Sequence, residues 1–116
     1  MAQFPNCLFI VTVEVDAEVE ADWNRWYDEV HLPDALACPG VLHGRRYVSA
    51  GDATSMDRGQ RGAAARKTYV TVYELAGPEA LRTPAFQAMR GWHDFGPRVV
   101  SRSQVFLALA DQRSAA

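Results

Sequence analysis

An α+β domain of ferredoxin-like topology is the fold this sequence predicts, on three observations. Segments of strand and helix character follow one another in the order β-α-β-β-α-β, the split βαβ arrangement of a four-stranded antiparallel sheet with its helices on one face. The 116 residues, 48% hydrophobic and 22% charged, suit a single domain over 1–116 whose one core needs no disulfide or structural metal. The strands also carry more apolar surface than one layer of helices covers, so the sheet is expected to meet a second copy of itself.

The elements follow in order. Cys7–Val15 (CLFIVTVEV) is rich in β-branched residues and lies between Pro5-Asn6 and an acidic stretch, which is the pattern of a strand. Val19, Trp23, Trp26, Tyr27 and Val30 then recur at helical spacing, with Asp16, Glu18 and Glu20 near the start, where the helix dipole favours acids. Pro33 lacks an amide donor and its ring crowds the preceding turn. The helix is therefore expected to break there and restart with Pro33 as the first residue of a short piece ending near Cys38, with Pro39-Gly40 as the stop. Val41–Ala50 and Lys67–Leu75 predict the second and third strands. Residues 51–66 between them, with three glycines and the Ala63-Ala64-Ala65 run, are expected to form a long mobile loop. Gly77-Pro78 opens a helical stretch that restarts at Thr83-Pro84, with Thr83 as cap, Phe86 and Met89 on the inner face and an end near Gly96-Pro97. Val99–Ala110 closes the order as a long strand, and residues 111–116 form a frayed tail.

An open antiparallel sheet normally shows water a polar face. Here Cys7, Phe9, Val11, Val13 and Val15 make one face of the first strand, yet the other still carries Leu8 and Ile10 beside Thr12 and Glu14. Tyr69, Thr71, Tyr73 and Leu75 oppose Val70 and Val72 on the third, while Val99, Val105, Leu107 and Leu109 oppose Val100 and Phe106 on the last. A second face that is half apolar predicts a homodimer in which two sheets pack face to face and form a barrel. That contact either encloses a chamber or is flat, and each protomer is expected to have its own cleft between sheet and helices.

The densest group of chemistry-bearing residues is Trp26-Tyr27-Asp28-Glu29-Val30-His31-Leu32-Pro33-Asp34. Tyr27 and His31 are four apart and share a helix flank, and Pro33 frees the local backbone to tip the imidazole toward the sheet. An imidazole beside a phenol and carboxylates is equipped for general acid/base catalysis, whereas a histidine that only bridges the kink by a hydrogen bond is the other reading. With His31 as base or acid, Tyr27 or Tyr73 would donate to a developing oxyanion and Arg45 would orient an anionic group. Trp23, Asp28, Tyr47, Tyr69 and Phe9 complete the candidate substrate contacts, although Trp23 with Trp26 also reads as core. His43 lies on the same strand side as Arg45 and Tyr47, as pocket wall or solvated edge, and His93 near a helix C-terminus reads as structural. Glu14 sits at an exposed strand end or serves as a site carboxylate.

Other classes of function are disfavoured. Twelve basic residues against fourteen acidic ones, a formal net charge of −2, give no broad positive field for nucleic acid or anionic lipid. No segment reaches the roughly 18 apolar residues of a membrane span, no leader pattern opens the chain, and a cytoplasmic address is expected. Cys7 and Cys38 lack the spacing of a metal knuckle or redox pair and read as reduced core residues. Three histidines without HxH or HExxH spacing predict no metal site, and with no phosphate loop, GxSxG elbow or Cys-His nucleophile the expectation is no cofactor.

The run W-Y-x-x-x-H-L-P from Trp26 to Pro33, followed by Pro39-Gly40, an arginine-rich strand, the Tyr69–Leu75 strand and the Thr83-Pro84-Ala85-Phe86 helix start, resembles EthD-like and REDY-like members of the dimeric α+β barrel superfamily. The long 51–66 segment departs from that pattern. The resemblance implies a cofactor-free homodimer of ferredoxin-like protomers, in a superfamily that includes polyketide cyclases, lactone isomerases, degradation-pathway accessory proteins and monooxygenases. It carries over His31 as the site residue, with Tyr27 and Asp28 near it. Residues and resemblance together predict a small enzyme acting on a hydrophobic aromatic, polyketide-like or lactone metabolite by cyclisation, isomerisation or lyase chemistry. A noncatalytic dimeric small-molecule-binding or accessory protein is the alternative, and a haem- or oxygen-using monooxygenase a third. Fold does not choose among them.

Overall fold

The most apolar segment of the chain lies in the interior of the sheet. A computed structural model, which describes residues 4–64 and 67–115, contains β1 (Cys7–Val15), β2 (Val41–Val48), β3 (Ala53–Asp57), β4 (Gln60–Ala64), β5 (Tyr69–Leu75) and β6 (Val99–Leu107). The main sheet has the order β2-β5-β1-β6 with every pair antiparallel. This is the ferredoxin-like α+β arrangement, with helices against one face. Phe9 pairs with Tyr73 on one side and Val105 on the other, and Val11 with Thr71 and Ser103, so these residues share the helix-covered face.

Pro33 does not break the first helix. After a 3-10 turn at Ala17–Val19, α1 (Glu20–Trp26) passes through a π-helical turn (Tyr27–His31) directly into α2 (Leu32–Leu36). The Leu32 amide reaches back five residues to the Tyr27 carbonyl. In a regular α-helix the Pro33 ring would press on the Glu29 carbonyl and leave it without a donor. A widened turn just ahead of the proline relieves that collision while the helix continues. Beyond it the helix ends at Leu36, two residues short of the expected Cys38 and ahead of the turn at Pro39-Gly40.

The second helical stretch also departs from its expected length. Pro78–Arg82 is a 3-10 turn, and α3 (Pro84–Met89) is capped by the Thr83 hydroxyl, which accepts from the Phe86 amide at 3.2 Å. It ends at Met89 rather than near Gly96, because Gly91 (φ +114) and His93 (φ +53) turn the backbone before a second 3-10 turn at His93–Arg98.

The expected loop at 51–66 is instead largely a hairpin. β3 and β4 pair with each other around Arg58-Gly59, both at positive φ (49° and 87°), the signature of a tight turn whose twist matches its strands. Residues 65–66 of that segment lie outside the described residues. Cys7 and Cys38 are buried and unpaired, as read from the sequence. The core centres on Trp23, Tyr27 and Val13, all essentially without solvent contact. No helix of the described residues is long and apolar enough to cross a membrane.

The turn from α2 into β2 depends on one glycine. Gly40 sits at φ +84, and a Cβ there would stand 2.9 Å from the Ala80 Cβ, so a side chain meets both backbone strain and a collision. Gly40→Ala should lower stability by about 2 kcal/mol in urea denaturation; a loss below about 0.5 kcal/mol would show that the turn relaxes freely.

Candidate functional site

The π-helical turn brings Tyr27 and His31 to the helix-covered face of the sheet, and both are buried. Opposite them β5 presents Tyr73, whose hydroxyl is 3.3 Å from that of Tyr27. Phe9 of β1 lies against Tyr73 (centroids 6.1 Å) and edge-on to Phe86 of α3 (5.9 Å). These side chains, with Val11, Met89, Arg90, Gly91, Trp92, Ser101 and Ser103, line a cleft of about 170 Å³ between sheet and helices. The cleft opens beside β6, where Ser101 and Ser103 are exposed. Trp92 spans that opening, its indole N–H donating to the Ser101 hydroxyl at 3.0 Å.

His31 is held by rings. Trp26 stacks on it at 4.6 Å with 21° between planes, Tyr27 meets it edge-on at 4.9 Å, and Trp92 lies 5.5 Å away. Burial among these rings pulls the imidazole down to about 4; Asp34 opposes that effect and the Arg46 charge adds to it. Burial likewise raises Tyr73, with Tyr27 adding to it, and raises Tyr27 against the opposing effects of Thr71, Tyr73 and Arg46. At neutral pH the cleft therefore presents a neutral imidazole that accepts a proton and two un-ionised phenols, one donating to the other, which leaves one phenolic proton for the cleft.

The phenol pair is positioned from behind. The Arg46 guanidinium lies 4.3 Å over the Tyr27 ring and 5.1 Å over that of Trp23. It donates to Asp28 at 2.6 Å and to Asn24 at 2.7 Å. Asn24 in turn donates to the Tyr69 hydroxyl, which donates to Glu20, itself paired with Lys67 at 2.8 Å. A cation sandwiched by rings and neutralised by a carboxylate resists displacement.

The sequence-predicted residues therefore divide. His31, Tyr27, Tyr73 and Phe9 meet in one cleft. Trp23 is fully buried behind it with an unpartnered indole N–H, and Tyr69 faces Trp23 and Glu20. Asp28 is exposed and holds Arg46. Arg45 and Tyr47 lie on the opposite face of the sheet with His43, Arg45 stacking over Tyr47 at 5.3 Å. The reason is a β-bulge between Val41 and His43: it reverses the parity of the strand, so buried Val41 shares its face with Gly44 and Arg46 instead of His43 and Arg45. Glu14 is also on that opposite face.

Sequence reading missed Arg46, Trp92 and Arg90, and the serines of β6. One signal was present: Ser101 and Ser103 interrupt the otherwise apolar inner face of that strand, a sign of a cleft rather than a packed core. Among the described residues no three His, Cys, Asp or Glu side chains gather to hold a metal ion.

Comparison with known proteins agrees with this fold. The profile of a domain of unknown function, DUF4286, matches residues 6–84, from before β1 to the start of α3. No curated protein matches. Among solved structures, HapK from Hahella chejuensis is similar at 15% identity and TM-score 0.59, over 95% of this chain and 99% of its own. An ethyl tert-butyl ether degradation (EthD) family protein from Bacillus halodurans is similar at 11% identity and TM-score 0.53, over 89% and 99%. SnoaB from Streptomyces nogalater, described as a cofactor-independent oxygenase, is similar at 15% identity and TM-score 0.53, over 96% and 100%. At these identities the likeness establishes the fold, and it places this chain's architecture with the EthD-like proteins its sequence resembles.

The buried imidazole ties stability to pH. The unfolded chain takes up a proton on His31 below about pH 6.5, the folded chain only near 4. Its contribution is therefore complete above 6.5, is lost as pH falls through that window, and changes no further below 4. Between pH 7 and 4.5 the wild type should lose on the order of 2 kcal/mol more than His31→Gln in urea denaturation. Equal losses would show that the imidazole titrates normally in the folded protein.

Proposed function

This chain belongs to the DUF4286 family of domains of unknown function, and we propose that it is a small cofactor-independent enzyme performing His31 acid/base chemistry on an aromatic or lactone metabolite. The observation that carries this reading is a neutral, ring-caged imidazole sharing one cleft with the Tyr27–Tyr73 hydroxyl pair. His31 would take a proton from an acidic carbon or hydroxyl of the substrate. The negative charge left on the substrate oxygen would be met by a hydrogen bond from the phenol pair, held un-ionised by burial. Return of the proton at another atom completes an isomerisation; ring closure or bond cleavage from the same anion gives cyclase or lyase chemistry. Arg46 acts through Tyr27, as a positioning residue. The description of the SnoaB neighbour as cofactor-independent is in keeping with a chain that supplies its own base, and the two unpaired cysteines suit a reducing, cytoplasmic setting.

One observation favours the noncatalytic alternative of a small-molecule-binding or accessory protein: an imidazole held near 4 is a weak base until something in the cleft raises its proton affinity. Solvent deuterium uptake separates the two. Aromatic CH-acids and lactones incubated with the protein in D₂O should gain deuterium, followed by NMR. His31→Ala should slow uptake at least 100-fold and Tyr73→Phe about 10-fold. Ligand-dependent thermal stabilisation without exchange would assign the cleft to binding alone.

We also propose that the working unit is a homodimer joined through the open face of the sheet. That face carries Leu8, Ile10, Val70 and Val72 at its centre, with Val100 and Phe106 70% and 45% exposed on β6. Apolar surface spread across three adjacent strands is what a second sheet covers. Sedimentation should give about twice the 12.9 kDa chain mass, and Ile10→Glu, which buries a charge only in the dimer, should give a folded monomer. A monomeric wild type at micromolar concentration would overturn the dimer.

A further inference from the structure

The cleft has room for little. Its volume of about 170 Å³ compares with the roughly 150 Å³ of an apolar cavity that accommodates benzene. Its inner walls are rings and aliphatic groups: Phe9, Val11, Tyr27, Tyr73, Phe86 and Trp92. Such walls favour the faces and edges of an aromatic ring, and a volume close to that of the benzene cavity suits one ring better than a fused pair.

The charge at the mouth is one-sided. Among the described residues no carboxylate lines the cleft, and Arg90 stands at its rim. Arg90 is exposed and forms no ion pair among the described residues; its side chain reaches only the Gln87 carboxamide, at 3.5 Å. Arg46, by contrast, is committed to Asp28 and Asn24, and Arg45 is on the far face of the sheet. Asp34 lines the shallow groove on the other side of His31, where Arg90 also stands, without an ion pair between them. Near the same opening Ser103 offers a hydroxyl, and Ser101 a hydroxyl proton, since its oxygen accepts from Trp92. A free guanidinium beside hydroxyl donors matches the planar, two-oxygen geometry of a carboxylate.

We propose that the cleft takes a single-ring aromatic carboxylate, the ring lying among Phe9, Tyr73, Phe86 and Trp92 and the carboxylate meeting Arg90 at the rim. This rests on reading the cleft as the substrate site, and it narrows that site to one ring and one negative charge. It also gives the Arg90 side chain the anion-orienting part that sequence reasoning gave to Arg45.

Calorimetric titration with benzoate, benzamide and 2-naphthoate tests size and charge separately. The wild type should bind benzoate at least 10-fold more tightly than benzamide, and 2-naphthoate at least 10-fold more weakly than benzoate. Arg90→Gln, a rim substitution whose folding is checked by its thermal transition, should abolish the preference for benzoate over benzamide, and Arg90→Lys should restore part of it. Equal binding of benzoate and benzamide, an undiminished preference in Arg90→Gln, binding of naphthoate as tight as benzoate, or no binding of any probe would each overturn the proposal. Its failure is distinct from failure of the catalytic reading: deuterium exchange on a neutral lactone would sink the carboxylate and leave His31 chemistry standing. Benzoate discrimination without exchange on any substrate would do the reverse.

Discussion

A proline that cannot donate, placed inside a helix that must continue, is the constraint from which the site follows. The chain meets it by widening one turn, Tyr27–His31, so that the Leu32 amide reaches the Tyr27 carbonyl and α2 proceeds through Pro33. The widened turn presents Tyr27 and His31 together to the sheet, and both are buried there. Other elements are shaped around this packing. Gly44 lets β2 run close beneath α2, where a Cβ would stand 3.0 Å from Leu32 and 3.1 Å from the Tyr73 ring. Trp26 and Trp92 close over the imidazole from outside.

Packing and electrostatics then act in one direction. Rings around His31 deny its charged form water, so the folded protein holds it neutral and is less stable in acid for doing so. Two phenols facing each other at 3.3 Å resist ionisation for the same reason. The charged network that secures this arrangement, from Arg46 through Asp28 and Asn24 to Tyr69, Glu20 and Lys67, lies behind Tyr27 rather than in the cleft. The inner walls of the cleft are neutral groups, Arg90 stands only at its rim, and the paired charges of the network lie one layer back.

Much of this was legible in the sequence, and each failure has a physical cause. Alternation in CLFIVTVEV and KTYVTVYEL located the central strands and their inner faces, because β-branched residues with period two have few other uses. The Tyr27/His31 pair was found by helical spacing and Tyr73 by strand parity. Arg45 and Tyr47 were misplaced because one bulge after Val41 reversed the parity of β2, and a bulge leaves no mark in the pattern of residue types. Pro33 was read as a break because propensity describes a regular helix; tertiary packing on both sides of the proline sustains an irregular one. The hairpin in 51–66 was hidden because its turn places an arginine, Arg58, at positive φ beside the glycine that usually signals such a turn.

That hairpin has a further consequence. Among the described residues β3 and β4 pair only with each other, and neither contributes a residue to the cleft. Residues added or removed at the Arg58-Gly59 tip cost conformational entropy that grows slowly with length, roughly 0.6 kcal/mol per doubling of a flexible loop. The strands that hold the site do not share in that cost. The tip is thus where the chain can change in length, and where a fluorophore or an inserted epitope can report on the molecule without touching the cleft.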